Sequence, residues 1–177
     1  MYGISKDLAV NENVQFDAGI HNGVIIDKIT YESASKDGNG KFVLAFHFKG
    51  SKGETFRHLE WPIEESDANL ESKVANMGKR IKHILSKFVP EESIVIGNVS
   101  SFQEYANEVI RLAGAAYQGK TFEIKLLLND SDKLCFPKYV GFIAKDAGTL
   151  KISNTEKISK SVPTGLGEVN AFATDAF

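Results

Sequence analysis

After a polar, aperiodic start over the first 18 residues, the chain enters strand-like runs, the second of which alternates with a period of two. Apolar residues then recur every three or four positions, and short apolar runs finally return. Val24 to Tyr31 (VIIDKITY) is rich in β-branched residues and predicts a first strand. The turn signal Lys36-Asp37-Gly38-Asn39-Gly40 separates it from a second, Lys41 to Lys49 (KFVLAFHFK). In that strand Phe42, Leu44, Phe46 and Phe48 share one face, while Val43, Ala45, His47 and Lys49 share the other. Gly50-Ser51-Lys52-Gly53 turns the chain into a third strand, Glu54 to Trp61, stopped by Pro62.

The period then changes. Leu70, Val74, Met77, Ile81, Ile84 and Phe88 recur at steps of four and three, the spacing of an amphipathic helix. Its other faces carry Lys73, Lys79, Arg80, Lys82, His83 and Lys87, a pattern that an ordinary solvated face also produces. Ser101 and Glu104 have the capping-box spacing, and Phe102, Ala106, Val109 and Ala113 follow on one face. A second helix is expected there, with Gly119 as its stop. Strand character resumes at Phe122 to Leu128 (FEIKLLL) and Leu134 to Ala144 (LCFPKYVGFIA), with a turn over Asn129 to Lys133.

Three strands, a helical insertion at about 66–118, then two strands predict a mainly β, α+β fold: a five-stranded OB-like barrel with helices between strands three and four. A small sandwich with a helical insert fits the same string. Residues 1–18 read as a loosely attached arm, 19–158 as the domain, and 159–177 as a flexible tail. No internal repeat is present.

The 177 residues suit one well-buried core. Hydrophobic residues at 42% and charged residues at 25% are ordinary for a globular chain. No run approaches the roughly 18 apolar residues a membrane helix needs. Met1 to Val10 lacks a basic region followed by an apolar stretch, so no secretory signal is expected. The single cysteine, Cys135, has no partner for an internal disulfide or a cysteine-based zinc site, which suits a reducing, cytoplasmic compartment. The net charge of -2 argues against indiscriminate polyanion binding. From Thr164 to Phe177 there are two acids, Glu168 and Asp175, and no Lys or Arg. Subtracting them (23 − 2) leaves 21 acidic residues against 21 basic ones elsewhere. A neutral body still accommodates a basic face.

One motif demands an answer. Gly114-Ala115-Ala116-Tyr117-Gln118-Gly119-Lys120-Thr121 matches G-x-x-x-x-G-K-[ST] letter for letter. A P-loop follows a strand and opens a helix, so that helix N–H groups face phosphate. Here an Ala-rich helix precedes and a strand follows, which places the loop at the repelling end of a helix dipole. His21, His47, His58 and His83 show no metal spacing, although His47 and His58 are candidates to face each other across strands two and three. Neither a nucleophile elbow nor a general acid–base pair is evident, Cys135 reads as an inert buried thiol, and no catalytic role, cofactor or metal is expected.

The remaining signal is aromatic and basic residues interleaved on strands. Single-stranded nucleic acid needs flat rings for its bases and cations for its phosphates. Lys28 and Tyr31 lie on the first strand, and His47, Lys49, Phe56, Arg57, His58 and Trp61 on the second and third. The closing strands add Lys125, Phe136, Lys138 and Tyr139. Phe42, Phe46, Phe48, Phe122 and Phe142 lie on apolar faces and read as core instead.

Three segments resemble a bacteriophage single-stranded DNA-binding protein of the OB type. They are Gly19-Ile20-His21-Asn22 leading into VIIDKITY, the pair KFVLAFHFKG and GETFRHLEW, and the closing pair GKTFEIKLLLND and LCFPKYVGFIAK. The resemblance spans roughly Gly19 to Lys145. The ending Asp175-Ala176-Phe177, after Gly165, Gly167 and Glu168, is similar to the acidic, aromatic-terminated tails of such proteins, with only two acids. The resemblance implies coating of single strands during replication or recombination in the host cytoplasm, with Asp175 and Phe177 recruiting partner proteins. The competing readings are a structural or adaptor protein of a phage particle and a P-loop nucleotide hydrolase.

Overall fold

The computed structural model describes residues 14–139 and 141–160. Within them the chain forms an antiparallel, open sheet of six strands with two helices: β1 (Gly19–Ser33), β2 (Phe42–Lys49), β3 (Thr55–Glu60), α1 (Leu70–Leu85), α2 (Phe102–Ala113), β4 (Phe122–Leu128), β5 (Leu134–Cys135) and β6 (Ile143–Ala144). The strand order is β3-β2-β1-β4-β5, and β6 pairs with β4. The helices fall between β3 and β4, as the change of period requires. The five-stranded closed barrel is replaced by an open sheet: no pairing among the described residues joins β3 to β5.

β1 makes this topology possible. Its Ile25–Ser33 stretch pairs with β2 and its Gly19–Val24 stretch pairs with β4, with register shifts between Ile26 and Lys28 and between His21 and Val24. Such irregularities bend a strand and increase its twist. Gly23, at φ +67, sits inside the second shift, where a Cβ would be strained. One strand thus borders two others at different angles.

The core lies between one face of the sheet and the helices. Val24, Ile26, Phe46, Phe48, Ile124 and Leu126 meet Ile81, Ile84, Leu85, Ala106 and Val109 there. α1 buries Met77, Ile81, Ile84 and Leu85, but Val74, on the predicted apolar face, is exposed because nothing covers the first turns. α2 begins with half of its capping box: the Ser101 hydroxyl accepts from the Glu104 N–H, while the Glu104 carboxylate reaches one residue further back, to the N–H and hydroxyl of Ser100. It ends at Gly114 (φ 47), earlier than the Gly119 stop; residues 114–119 are successive turns.

Several expectations are corrected. Phe42, expected in the core, is half exposed at the free start of β2 and rests against Tyr31, with centroids 5.3 Å apart. Val43 and Ala45, on the supposedly open face of β2, are fully buried. The single closing strand predicted over Leu134 to Ala144 is split into β5 and β6, because Pro137 has no N–H for a ladder. At the other end of the domain, Phe16 of the supposed arm is buried, Gln15 bridges Thr55, and the Thr55 N–H donates to the Val14 carbonyl at 2.9 Å. The arm's remaining residues, 1–13, and the tail from 161 onward lie outside the described residues.

Candidate nucleic-acid groove

The gap between β3 and the β4–β5 hairpin is a groove. It contains two cavities of about 1100 Å3 and about 850 Å3, both walled by Phe56, Arg57, Lys133 and Leu134. The first ends at Gln15–Ala18; the second reaches Trp61, Pro62 and α1. In place of strand pairing, rings bridge the gap: Phe136 packs edge-on against Phe48 (5.3 Å) and Phe56 (5.1 Å) and stacks on Phe142 (4.4 Å).

β3 presents its unpaired edge to this groove. Because the Thr55 N–H points outward to Val14, alternation sends the backbone groups of Arg57 and Leu59 the same way. Neither has a backbone partner outside the sheet among the described residues.

The cations around the groove are of two kinds. Arg57 is engaged by the end of β1 and the residue after it, where Nη1 donates to Glu32 at 2.9 Å and Nη2 to the Ala34 carbonyl at 2.9 Å. Arg80 and Lys73 are engaged by Glu60 and Asp67. Lys36, Lys49, Lys133, Lys138 and Lys160 also line the groove and make no ion pair with any described residue. The first cavity is walled by Lys36, Lys49, Arg57, Lys133 and Lys160 against Asp17, Asp27 and Asp132, and Asp132 is held by Lys157 at 2.7 Å. The wall is therefore net basic although the chain is not.

Under the groove sits a buried charge cluster. Glu60, 3% exposed, receives Arg80 Nε at 2.7 Å and Nη2 at 2.6 Å, and lies 2.9 Å from His58 Nε2. Burial pushes its carboxyl up, but the bonds from Arg80 and His58 outweigh it and hold the group below the usual range. This cluster ties β3 to α1.

The sequence-predicted residues divide accordingly. Trp61 (48% exposed), Lys138, Lys49 and Phe56 line the groove; Tyr139 (76% exposed) sits beside Lys138, whose Nζ lies 6.0 Å from its ring. Lys28, His47 and Arg57 form one cross-strand row; His47 and Arg57 also line the first cavity, and Arg57 and His58 the second. His47 is bound there by Thr30 and Glu32 at 3.2 and 3.1 Å, and burial lowers its pKa. His58 belongs to the opposite face, opposite Phe46, so the two histidines do not meet. Tyr31 packs between Phe42 and Phe102 and lines neither cavity.

Two candidates are corrected. Lys125 is 8% exposed, with Nζ donating to Glu156 at 2.6 Å and to the Lys151 carbonyl at 2.9 Å, so it does not reach a ligand in solvent. Phe136 is 6% exposed and belongs to the core; its rings on both sides leave no face for a base. Asp175 and Phe177 lie outside the described residues. Sequence reasoning missed Lys36, Lys133 and Lys160. Lys36 and Lys133 stand in turns beside the predicted strands, which is a usable signal; Lys160 carries none.

The P-loop letters fall between the end of α2 and the start of β4, in the helix-then-strand order, so no helix N-terminus faces the loop. Among the described residues, no three His, Cys, Asp or Glu side chains are placed to hold a metal ion, and no helix is long and apolar enough to cross a membrane. Burial raises the pKa of the half-buried Cys135 thiol, the direction of low reactivity. No family model, no curated protein and no solved structure matches the chain.

Proposed function

We propose that this protein binds single-stranded DNA along the groove between β3 and β5, without catalysis and with little sequence preference. The observation that carries the reading is the groove itself. Five lysines without ion-pair partners among the described residues stand along it beside Trp61 and Phe56, with Tyr139 at its margin. Bases stack on such rings for about 1–3 kcal/mol each regardless of identity, and phosphates take up the lysines. Stacking on exposed rings needs unpaired bases, which favours single strands over duplex.

In this reading the sheet is an OB-type arrangement left open between β3 and β5. The strand order and the doubly paired β1 support it, as do the Phe136 contacts that hold the opening together. The likeness of three segments to phage proteins of that type adds replication or recombination of phage DNA in the host cytoplasm as the setting. Asp175 and Phe177 would then serve as the contact for partner proteins.

The test uses the single tryptophan. Titration with oligo(dT) should quench Trp61 fluorescence. Affinity should fall with salt at a log–log slope of about -3.5, from about -0.7 per phosphate over the five lysines. Duplex of the same length should bind more weakly. Equal affinity for duplex, or no quenching at low salt, refutes the proposal.

A further inference from the structure

Residues 145–160 contain neither helix nor strand, yet they are pinned to the sheet at several points between Gly148 and Lys157. Glu123, 2% exposed on β4, accepts the N–H groups of Gly148 at 2.6 Å and Leu150 at 2.5 Å. Lys125, two residues on and on the same face, holds the Lys151 carbonyl and the Glu156 carboxylate. The bond from Lys125 is the main reason the Glu156 carboxyl titrates below its usual range. The Leu128 N–H then donates to the Lys157 carbonyl at 2.8 Å, and Lys157 pairs with Asp132 in the β4–β5 turn. The next described residues, Ile158 and Lys160, line the first cavity of the groove.

Two charged side chains inside a strand are costly unless each has partners. Here every partner belongs to this one segment, which a purely apolar strand face would have covered without fixing its course. Hydrogen bonds and charge specify where the segment runs, and it runs to the groove.

We propose that residues 145–160 form a strap whose task is to place Lys160 against bound single-stranded DNA, with Glu123 and Lys125 as positioning residues. This rests on the groove being the DNA site. Lys125 then supports binding without touching the ligand, through a cation thirty-five positions (160 − 125) along the chain.

The test is a double-mutant cycle on the full chain, with oligo(dT) titrated over a salt series. Lys160→Ala should weaken binding severalfold and reduce the salt slope by about 0.7, the share of one phosphate contact. Lys125→Met should reduce the slope by the same amount and expose Lys151 and Lys157 to trypsin. The double variant should bind no worse than the weaker single. Lys125→Met with a trypsin-sensitive strap but an unchanged slope overturns the proposal, as do effects that multiply. Glu156→Gln, which loosens the same attachment from the strap side, gives the same readouts if Lys125→Met does not fold. Failure of the unaltered protein to bind oligo(dT) removes the DNA site and the strap's role together. Normal binding with no coupling between Lys125 and Lys160 removes the strap alone.

Discussion

The Nε2 atom of His83, on α1, accepts the backbone N–H of Gly141 at 3.1 Å, and the ring stands edge-on to Phe142 at 4.9 Å. An acceptor nitrogen must be unprotonated. Burial, and then the neighbouring Lys87 charge, lower the His83 pKa from 6.5 to about 4. The bond anchors the connection between β5 and β6, the stretch that carries Lys138 and Tyr139.

The pH dependence follows from that shift. The unfolded chain takes up a proton near pH 6.5 and the folded one only near pH 4, so the unfolded state binds more protons between those values. Stability from His83 is therefore fully present above pH 6.5 and declines as pH falls towards 4. Chemical denaturation at pH 7 and pH 5 should show a loss that His83→Gln reduces, since an amide oxygen accepts the same N–H without titrating. An unchanged pH dependence in that variant contradicts the assignment.

Arg80 and Glu60 give the largest expected single-residue effect. Arg80→Met leaves a carboxylate 3% exposed with His58 as its remaining side-chain neighbour among the described residues. Breaking a buried pair from one side costs about 3–5 kcal/mol. Urea unfolding should show it, and Glu60→Gln combined with Arg80→Met should recover a good part of the loss.

Tyr139 and Phe136 lie three positions apart and should behave in opposite ways. Tyr139→Ala removes an exposed ring, so stability should stay within about 0.5 kcal/mol while oligo(dT) affinity falls by about 1–3 kcal/mol. Phe136→Leu empties part of the ring cluster joining Phe48, Phe56 and Phe142, and should lower the unfolding midpoint clearly. Parallel titration and melting curves separate the two.

Lys120 tests the P-loop reading. It follows Gly119 in the turns after α2 and is exposed. Lys120→Ala should leave oligo(dT) affinity within about twofold, a single peripheral charge being worth little beside the groove lysines. Any ATP turnover that vanishes in this variant would show that the letters do function as a phosphate loop.

Much of the architecture was legible without coordinates. β-branched and alternating runs bounded by turn signals marked β1 to β4, helical spacing of apolar residues marked α1 and α2, and their order placed the helices between β3 and β4. Glu104 and Ser101 marked the start of α2. These signals are local: each depends on residues within one turn or one pleat of one another.

Which faces are covered is a different matter, and only the tertiary structure decided it. The interleaving of Lys125 with Ile124 and Leu126 is what a half-exposed strand looks like. Lys125 is nonetheless buried, because Lys151 and Glu156 of a polar, aperiodic segment return to cover it. Phe42 has the pattern of a core residue but lies beyond the reach of α1 and α2. Phe136 and Tyr139 are both aromatic and three positions apart, yet one completes a ring cluster across the open seam and the other stands in solvent. Periodicity records how a segment sorts its own side chains between two faces. Whether either face meets water depends on partners brought in from elsewhere along the chain, and on hydrogen bonds that carry no periodic signature.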